Sequence, residues 1–298
     1  MKIGVIAPLS NRTADPATMA RACEARGFES YFIGEHTAVP IARKTARPSS
    51  GGDVAEMPDW YYELPAPFVA LSFAAAATST LRIGTGICLV AEHHPLELAK
   101  TVATLDRYSN GRFMFGIGSG WNAEEAALFN IDFKRRWAVT RDYVQAMIKL
   151  WTELDASHDG EFVNFPAVRI LPKPTQKPYP PIHIGAFVNI AIKDVVTYGS
   201  GWMPGVGSGL LSVDDISRKI HYIKRRCEIQ GRDFNEIEFS FIVYEDAEPT
   251  EIIDRYAALG AHRLILYCPG QGGKALDYGV DGMNRRLDEI ANGYLNAC

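Results

Sequence analysis

Along the chain, short runs of consecutive apolar residues alternate with longer stretches in which apolar side chains recur every three or four positions. The short runs occupy 3–7, 30–34, 81–90, 112–117, 181–186, 201–206, 237–243 and 263–268. Apolar character that is continuous rather than alternating marks a strand buried on both faces, as a parallel sheet under a layer of helices requires. The longer stretches carry helix signals. Asp15-Pro16 reads as an N-cap and first turn, Met19, Ala22 and Cys23 share a face, and Gly27 suits the left-handed residue past a helix end. Leu96, Ala99, Val102 and Ala103 form a second stripe that closes on Ser109-Asn110-Gly111. Val144, Met147, Ile148 and Trp151 form another, as do Leu287, Ile290, Ala291 and Tyr294.

Eight strand-and-helix units in 298 residues predict an α/β fold, a (β/α)8 TIM barrel forming one domain over 1–298, rather than a doubly wound open sheet with fewer strands. Two insertions break the regularity. Residues 37–66 contain Pro40, Pro48 and Pro58, Gly51-Gly52 and the aromatic group Trp60-Tyr61-Tyr62, a loop far longer than a barrel turn needs. Following the second strand, it is expected at the C-terminal face, where barrels build their sites, as a lid. Residues 160–171 read as a hairpin, and Pro172-Lys173-Pro174 with Pro178-Tyr179-Pro180-Pro181 as a stiff connector into the fifth strand.

Composition narrows the function classes. With 47% hydrophobic and 22% charged residues the chain can bury a large core, which excludes disorder. A net charge of -4 shows no electrostatic footprint for nucleic acid or an anionic membrane, so neither is expected as a partner. Cys23, Cys88, Cys227, Cys268 and Cys298 are odd in number and contain no C-x-x-C pair, which fits a reducing cytoplasm without disulfides. No signal peptide is expected, and the most apolar stretch, 68–80, falls short of the roughly 20 residues that span a bilayer.

In a barrel, residues just past the strand ends converge on one mouth. Here they are Ala7, Glu35, His36, Gly86, Ile87, Glu92, His93, His94, Gly118, Ser119, Gly185 and Met203. The first strand ends Ala7-Pro8-Leu9, without the H-x-H pair of a metal-dependent amidohydrolase, and no metal site is expected. None of the eight runs supplies an inward lysine for Schiff-base chemistry. What stands out is glycine. Gly116-Ile117-Gly118-Ser119-Gly120-Trp121-Asn122 lets backbone approach a ligand at a helix start, although Trp121 occupies the place where a dinucleotide fingerprint needs glycine.

That segment, with Gly84-Thr85-Gly86, Asp106-Arg107-Tyr108-Ser109-Asn110-Gly111-Arg112 and Pro180-Pro181-Ile182-His183-Ile184-Gly185, resembles the luciferase-like monooxygenase superfamily. Within it the chain is most similar to the branch of deazaflavin-dependent oxidoreductases. The resemblance implies a barrel holding coenzyme F420, a deazaflavin, or alternatively FMN, at its C-terminal mouth. It implies a bulge in the third strand, often with a non-prolyl cis peptide, at Gly86-Ile87, against which the tricyclic ring rests. It also places Gly118 and Ser119 near the cofactor, and Gly185, Ala186 and Asn189 near its phosphate. Ser119 stands where some sugar-phosphate dehydrogenases carry a carboxylate, which speaks against that substrate class.

His36 matches a polar position beside the reactive ring, where an imidazole of ordinary pKa near 6.5 can donate a proton as hydride reaches a substrate. Glu92, His93, Trp60 and Tyr61 are candidates for the substrate pocket. The activity so implied is hydride transfer between F420 and a small organic substrate. An FMN-dependent monooxygenase served by a partner flavin reductase, and a flavin-binding protein without turnover, are the alternatives. The resemblance further implies a homodimer.

Overall fold

The computed structural model describes residues 1–7, 9–10, 13–48, 53–54, 56–207, 209–245, 247–268 and 279–297; Gly51-Gly52 and Cys298 lie outside them. In chain order the strands are β1 (Lys2–Ile6), β2 (Ser30–Ile33), β3 (Arg82–Thr85), β4 (Cys88–Leu89), β5 (Phe113–Gly118), β6 (Ala156–Asp159), β7 (Asn164–Val168), β8 (Ile182–Ile184), β9 (Gly201–Trp202), β10 (Gly205–Val206), β11 (Glu238–Val243) and β12 (Arg263–Tyr267). All pair in parallel except β6 and β7, which form a separate antiparallel hairpin. β11 pairs with β12 on one side and with β9 and β10 on the other, so the sheet closes into a barrel of eight staves. In two of these, β3 is continued by β4 and β9 by β10.

The helices between them are α1 (Pro16–Ala25), α2 (Pro67–Ala77), α3 (Pro95–Tyr108), α4 (Ala123–Leu128), α5 (Arg136–Thr152), α6 (Asn189–Thr197), α7 (Val213–Gln230), α8 (Pro249–Ala257) and α9 (Gly279–Ile290). Local chemistry sets several of their ends. The Asp15 carboxylate accepts the N–H groups of Ala17 and Thr18 at 3.0 Å, opening α1, and Ser212 with Asp215 forms a capping box for α7, which stops at left-handed Gly231. Among the described residues no helix is long and apolar enough to cross a membrane.

Side chains alternate across the staves. Val5, Tyr31, Ile83, Phe115, Ile184, Phe241 and Leu264 point outward into one large core shared with the helices. The inward set of Ile6, Phe32, Met114, Met203, Ile242 and Ile265 fills the barrel's middle as a second cluster. Below it, fully buried Arg263 pairs with Glu29 at 2.7 Å and Glu238 at 3.2 Å and donates to Ser240 Oγ. Above it, four staves place Gly34, Gly86, Gly185 and Gly205 inward while β11 and β12 lead into Tyr244 and Tyr267, and the barrel opens.

Three expected elements differ in detail. The run 81–90 is not one strand: it breaks at Gly86-Ile87, a cis peptide, as the family resemblance implies. The run 201–206 is interrupted at Met203-Pro204, where proline has no N–H for the ladder. The hairpin lies at 156–168, with Gly160 in its turn rather than at its start, because alternate burial already begins at Ala156 and His158.

Candidate active site

A cavity of about 490 Å³ opens at the C-terminal ends of the strands. Ile6, Met203 and Ile242 line its depth, and Gly34, Gly86, Gly185 and Gly205, from four staves, line it where other barrels carry side chains. Ile87 crosses this space. A Cβ on Gly118 would lie 2.0 Å from Ile87 Cδ1, and one on Gly185 2.6 Å from Ile87 Cγ2, so both glycines exist to seat that side chain as a shelf. Glu35 holds the bulge from behind: its Oε2 accepts the Leu89 N–H at 2.6 Å and its Oε1 meets His93 Nε2 at 2.8 Å. Ligand atoms of Glu35, Cys88 and His93 fall within 4.8 Å of one another, and the hydrogen bonds Glu35 makes inside this cluster serve to fix the strand.

His36, one residue further on, turns the other way. Its Nδ1 lies 2.7 Å from Oε2 of Glu125, a carboxylate that is only 1% exposed. Glu125 stands in the first turn of α4, whose N-terminus Asn122 caps by accepting from the N–H groups of Glu124 and Glu125. A carboxylate at Nδ1 fixes the neutral ring as the Nδ1–H tautomer, leaving Nε2 as the site of proton exchange. The Tyr61 ring stands 5.1 Å from the imidazole and Trp121 5.7 Å from it, edge on.

The 37–66 insertion forms a wall of the cavity through Ala46, Arg47, Pro48, Trp60, Tyr61 and Leu64. A 3-10 turn, Asp59–Tyr61, stacks Trp60 on Tyr61 at 3.9 Å. The Tyr61 phenol has its pKa raised by burial, with Arg47 and Arg43 pulling against that. The segment is latched to α4: the Lys44 N–H donates to Glu124 Oε1 at 2.7 Å, and the Ala123 N–H to Thr45 Oγ1 at 3.3 Å.

Of the residues singled out from the sequence, Glu35, His36, Gly86, Ile87, Ser119, Gly185, Ala186, Met203, Trp60 and Tyr61 lie on the cavity wall. Gly118 does not, because Ile87 covers it. Glu92 and His93 also lie off the wall: the chain winds into a 3-10 turn, Val90–Glu92, which sends His93 back to Glu35 and Glu92 behind Gly120. His94 is exposed ahead of Pro95, and Ala7 is packed in the outer core. Asn189 begins α6 as expected, but it is exposed and its Oδ1 accepts from Lys219 Nζ. Sequence reading missed Glu125, Arg136, Tyr244 and Tyr267. The pair Glu124-Glu125 behind Asn122 was a signal for the first; the others depend on tertiary contacts.

The sequence profile of the luciferase-like monooxygenases matches residues 1–284. The chain belongs to this family. Uncharacterized protein Rv0953c of Mycobacterium tuberculosis is 34% identical over 271 residues, 90% of this chain and 92% of that protein. Among solved structures, monooxygenase RslO1 from Streptomyces bottropensis superposes with a TM-score of 0.77 at 20% identity, covering 99% of each chain. An F420-dependent secondary alcohol dehydrogenase, in complex with an F420-acetone adduct, gives 0.76 at 15% identity over 100% of this chain and 99% of that one. The oxygenating constituent of 3,6-diketocamphane monooxygenase from Pseudomonas putida, with FMN, gives 0.63 at 15% identity over 99% and 90%. These likenesses show the barrel fold, and luciferase-like monooxygenase family members are flavin- or deazaflavin-dependent oxidoreductases.

The cavity of this luciferase-like protein fits such a group. Its volume suits a drug-sized ligand, glycine backbone leaves a flat approach beside Ile87, and aromatic rings stand over it. Ala186, Phe187 and Val188 lead from the wall into the N-terminus of α6, where the first N–H groups and the helix dipole favour an anion. Arg136 lines the opposite side, its Nε donating to the Gly120 carbonyl and its guanidinium lying 3.8 Å over Phe133.

Proposed function

We propose that the protein is an oxidoreductase moving a hydride between coenzyme F420 and a small organic substrate in the barrel mouth. The observation carrying this reading is His36: an imidazole on the cavity wall, fixed by a buried carboxylate, facing a glycine-lined space with room for a planar ring. When bound, the deazaflavin supplies or takes up the hydride. This chain supplies the rest. Ile87 and the backbone at Gly86 and Gly185 would hold the ring, and Trp60, Tyr61 and Trp121 would restrict water. In the reducing direction His36, protonated on both nitrogens, would give its Nε2 proton to the substrate oxygen; in the oxidising direction Nε2 of the neutral ring would accept that proton. Glu125 compensates the imidazolium in either case. Arg47 and Arg136 offer positive charge to an anionic cofactor tail.

The end-to-end likeness to an F420-dependent dehydrogenase supports this choice. The FMN-bound neighbour supports a second reading, oxygen-dependent monooxygenation with a partner reductase. Titration of the purified protein with F420 and with FMN, followed by turnover of each reduced form on a panel of carbonyl compounds with and without oxygen, separates them. Tight F420 binding and oxygen-independent oxidation of reduced F420 are expected. Preference for FMN with oxygen consumption coupled to product refutes the proposal, and tight binding without turnover makes the protein a cofactor carrier.

A further inference from the structure

Among the described residues, Glu125 Oε1, Asn122 Nδ2 and Glu92 Oε2 are buried polar atoms without a hydrogen-bond partner. Asn122 and Glu125 are 2% and 1% exposed. Both therefore sit in a low-dielectric setting where an unmet hydrogen bond is costly. They belong together. Asn122 uses its Oδ1 to cap α4 and turns its amide away, Glu125 uses Oε2 on His36 and keeps Oε1 free, and Glu92 packs with Oε1 3.7 Å from the place a Cβ on Gly120 would take. The Glu92 and Glu125 charges act on one another.

We propose that Glu92 and Asn122 are positioning residues for His36: through a shared buried water they complete the hydrogen-bond shell of Glu125, the carboxylate that holds the imidazole. This arrangement gives each of the three atoms a partner. A water has two lone pairs and two hydrogens; it accepts from the Asn122 amide and from a Glu92 carboxyl O–H, and donates to Glu125 Oε1. Glu92 must keep its proton to take part. The groups that act on it are Glu35 from the end of β2, Cys88 from β4 and Glu125 from α4, with His36 and His93 bonded to those carboxylates and Arg136 on the far side of Gly120. Burial first, then the Glu125 and Glu35 charges, push the Glu92 carboxyl up to about 8. It is then an O–H donor at neutral pH, and its ionisation in mild alkali places a second negative charge behind Glu125.

This inference rests on the reading of His36 as proton donor, but its test needs neither cofactor nor substrate. The His36 ring is followed by nitrogen NMR in the unliganded protein from pH 5 to pH 10. The wild-type ring signal is expected to show an alkaline inflection transmitted from Glu92. Glu92→Gln, a neutral isostere, keeps the ring signal of the wild type at pH 6 and loses the alkaline inflection. Glu125→Gln changes the ring signal at every pH. Infrared spectra add a check that does not depend on the histidine, a buried carboxylic-acid carbonyl band at pH 7 that Glu92→Gln removes. An alkaline inflection that persists in Glu92→Gln, or absence of the acid band from the wild type, overturns the proposal. A protein that passes these tests yet turns over no F420 refutes the proposed function instead.

Discussion

His36 takes its aim from a carboxylate 89 positions away in sequence, so its neighbourhood in the chain could nominate it but not orient it. If its Nε2 proton serves the chemistry, His36→Asn lowers kcat by about 10²–10⁴-fold while cofactor affinity stays within a factor of about two. Stopped-flow turnover beside equilibrium titration checks this; equal losses in both would make His36 a binding residue. Gly86 and Gly185 lie on the cavity wall as expected, whereas the close approach at Gly118 is to a side chain. Gly118 was expected against the cofactor, and it makes room for Ile87. Gly118→Ala puts a methyl group 2.0 Å from Ile87 Cδ1 and should cost about 1–3 kcal/mol, measured by denaturant unfolding, and weaken cofactor binding as the shelf tilts. Adding Ile87→Val removes the colliding atom and should restore most of both; a double variant no better than Gly118→Ala alone would refute the shelf.

The eight staves were legible because each is buried on both faces and so reads as an uninterrupted apolar run, a pattern that survives local irregularity. What the pattern could not show was where a stave stops being regular. Gly86-Ile87 interrupts β3 and β4, and the 3-10 turn that follows rotates Glu92 and His93 off the wall, two residues that simple strand continuation would aim into the pocket. The 37–66 insertion announced itself by length and proline, yet its latch, Glu124 receiving the Lys44 N–H, joins segments that no spacing rule connects. A similar long-range clasp sets one element's stability. The Glu24 carboxylate near the end of α1 accepts the N–H groups of Ser79, Thr80 and Leu81 and the Thr80 hydroxyl, bracing the entry to β3. Burial raises its pKa and these hydrogen bonds outweigh that, drawing it down to about 2 from the usual 4.5. The folded state thus holds fewer protons than the unfolded one between those values, and the stabilisation, complete above about pH 4.5, is lost as acid approaches pH 2. Glu24→Gln should unfold at lower denaturant concentration at pH 7 and show a shallower loss below pH 4.5; an unchanged acid limb would show that the clasp contributes nothing.

Taken end to end, the barrel is sealed at its base by charge and opened at its mouth by glycine on four of its staves. The base follows from inward positions that carry Arg82, His183, Glu238 and Arg263 where the middle carries Met and Ile; the mouth follows from the glycines one tier above that middle. Breaking the base by removing one partner leaves a charge uncompensated. Arg263→Met strips Glu29 of its guanidinium partner, leaves Glu238 with Lys2 and His183 alone, and should cost about 3–5 kcal/mol in urea unfolding while leaving the mouth intact. His183 makes the same region sensitive to pH. Burial dominates over the pull of Glu238 and lowers its pKa to about 4 from 6.5, so in the fold it stays neutral where the unfolded chain binds a proton. Between those values the unfolded state is the more protonated, and stability falls as pH drops through that interval, by up to about 3 kcal/mol at its lower end. This window lies above the one set by Glu24 and Glu238, whose carboxyls titrate near 2 in the fold, so a stability profile should descend in two stages. His183→Gln should flatten the upper stage and leave the lower one. Urea unfolding followed from pH 7 to pH 3 decides the matter: an upper stage that survives the substitution would mean that the base does not govern the acid response of the barrel.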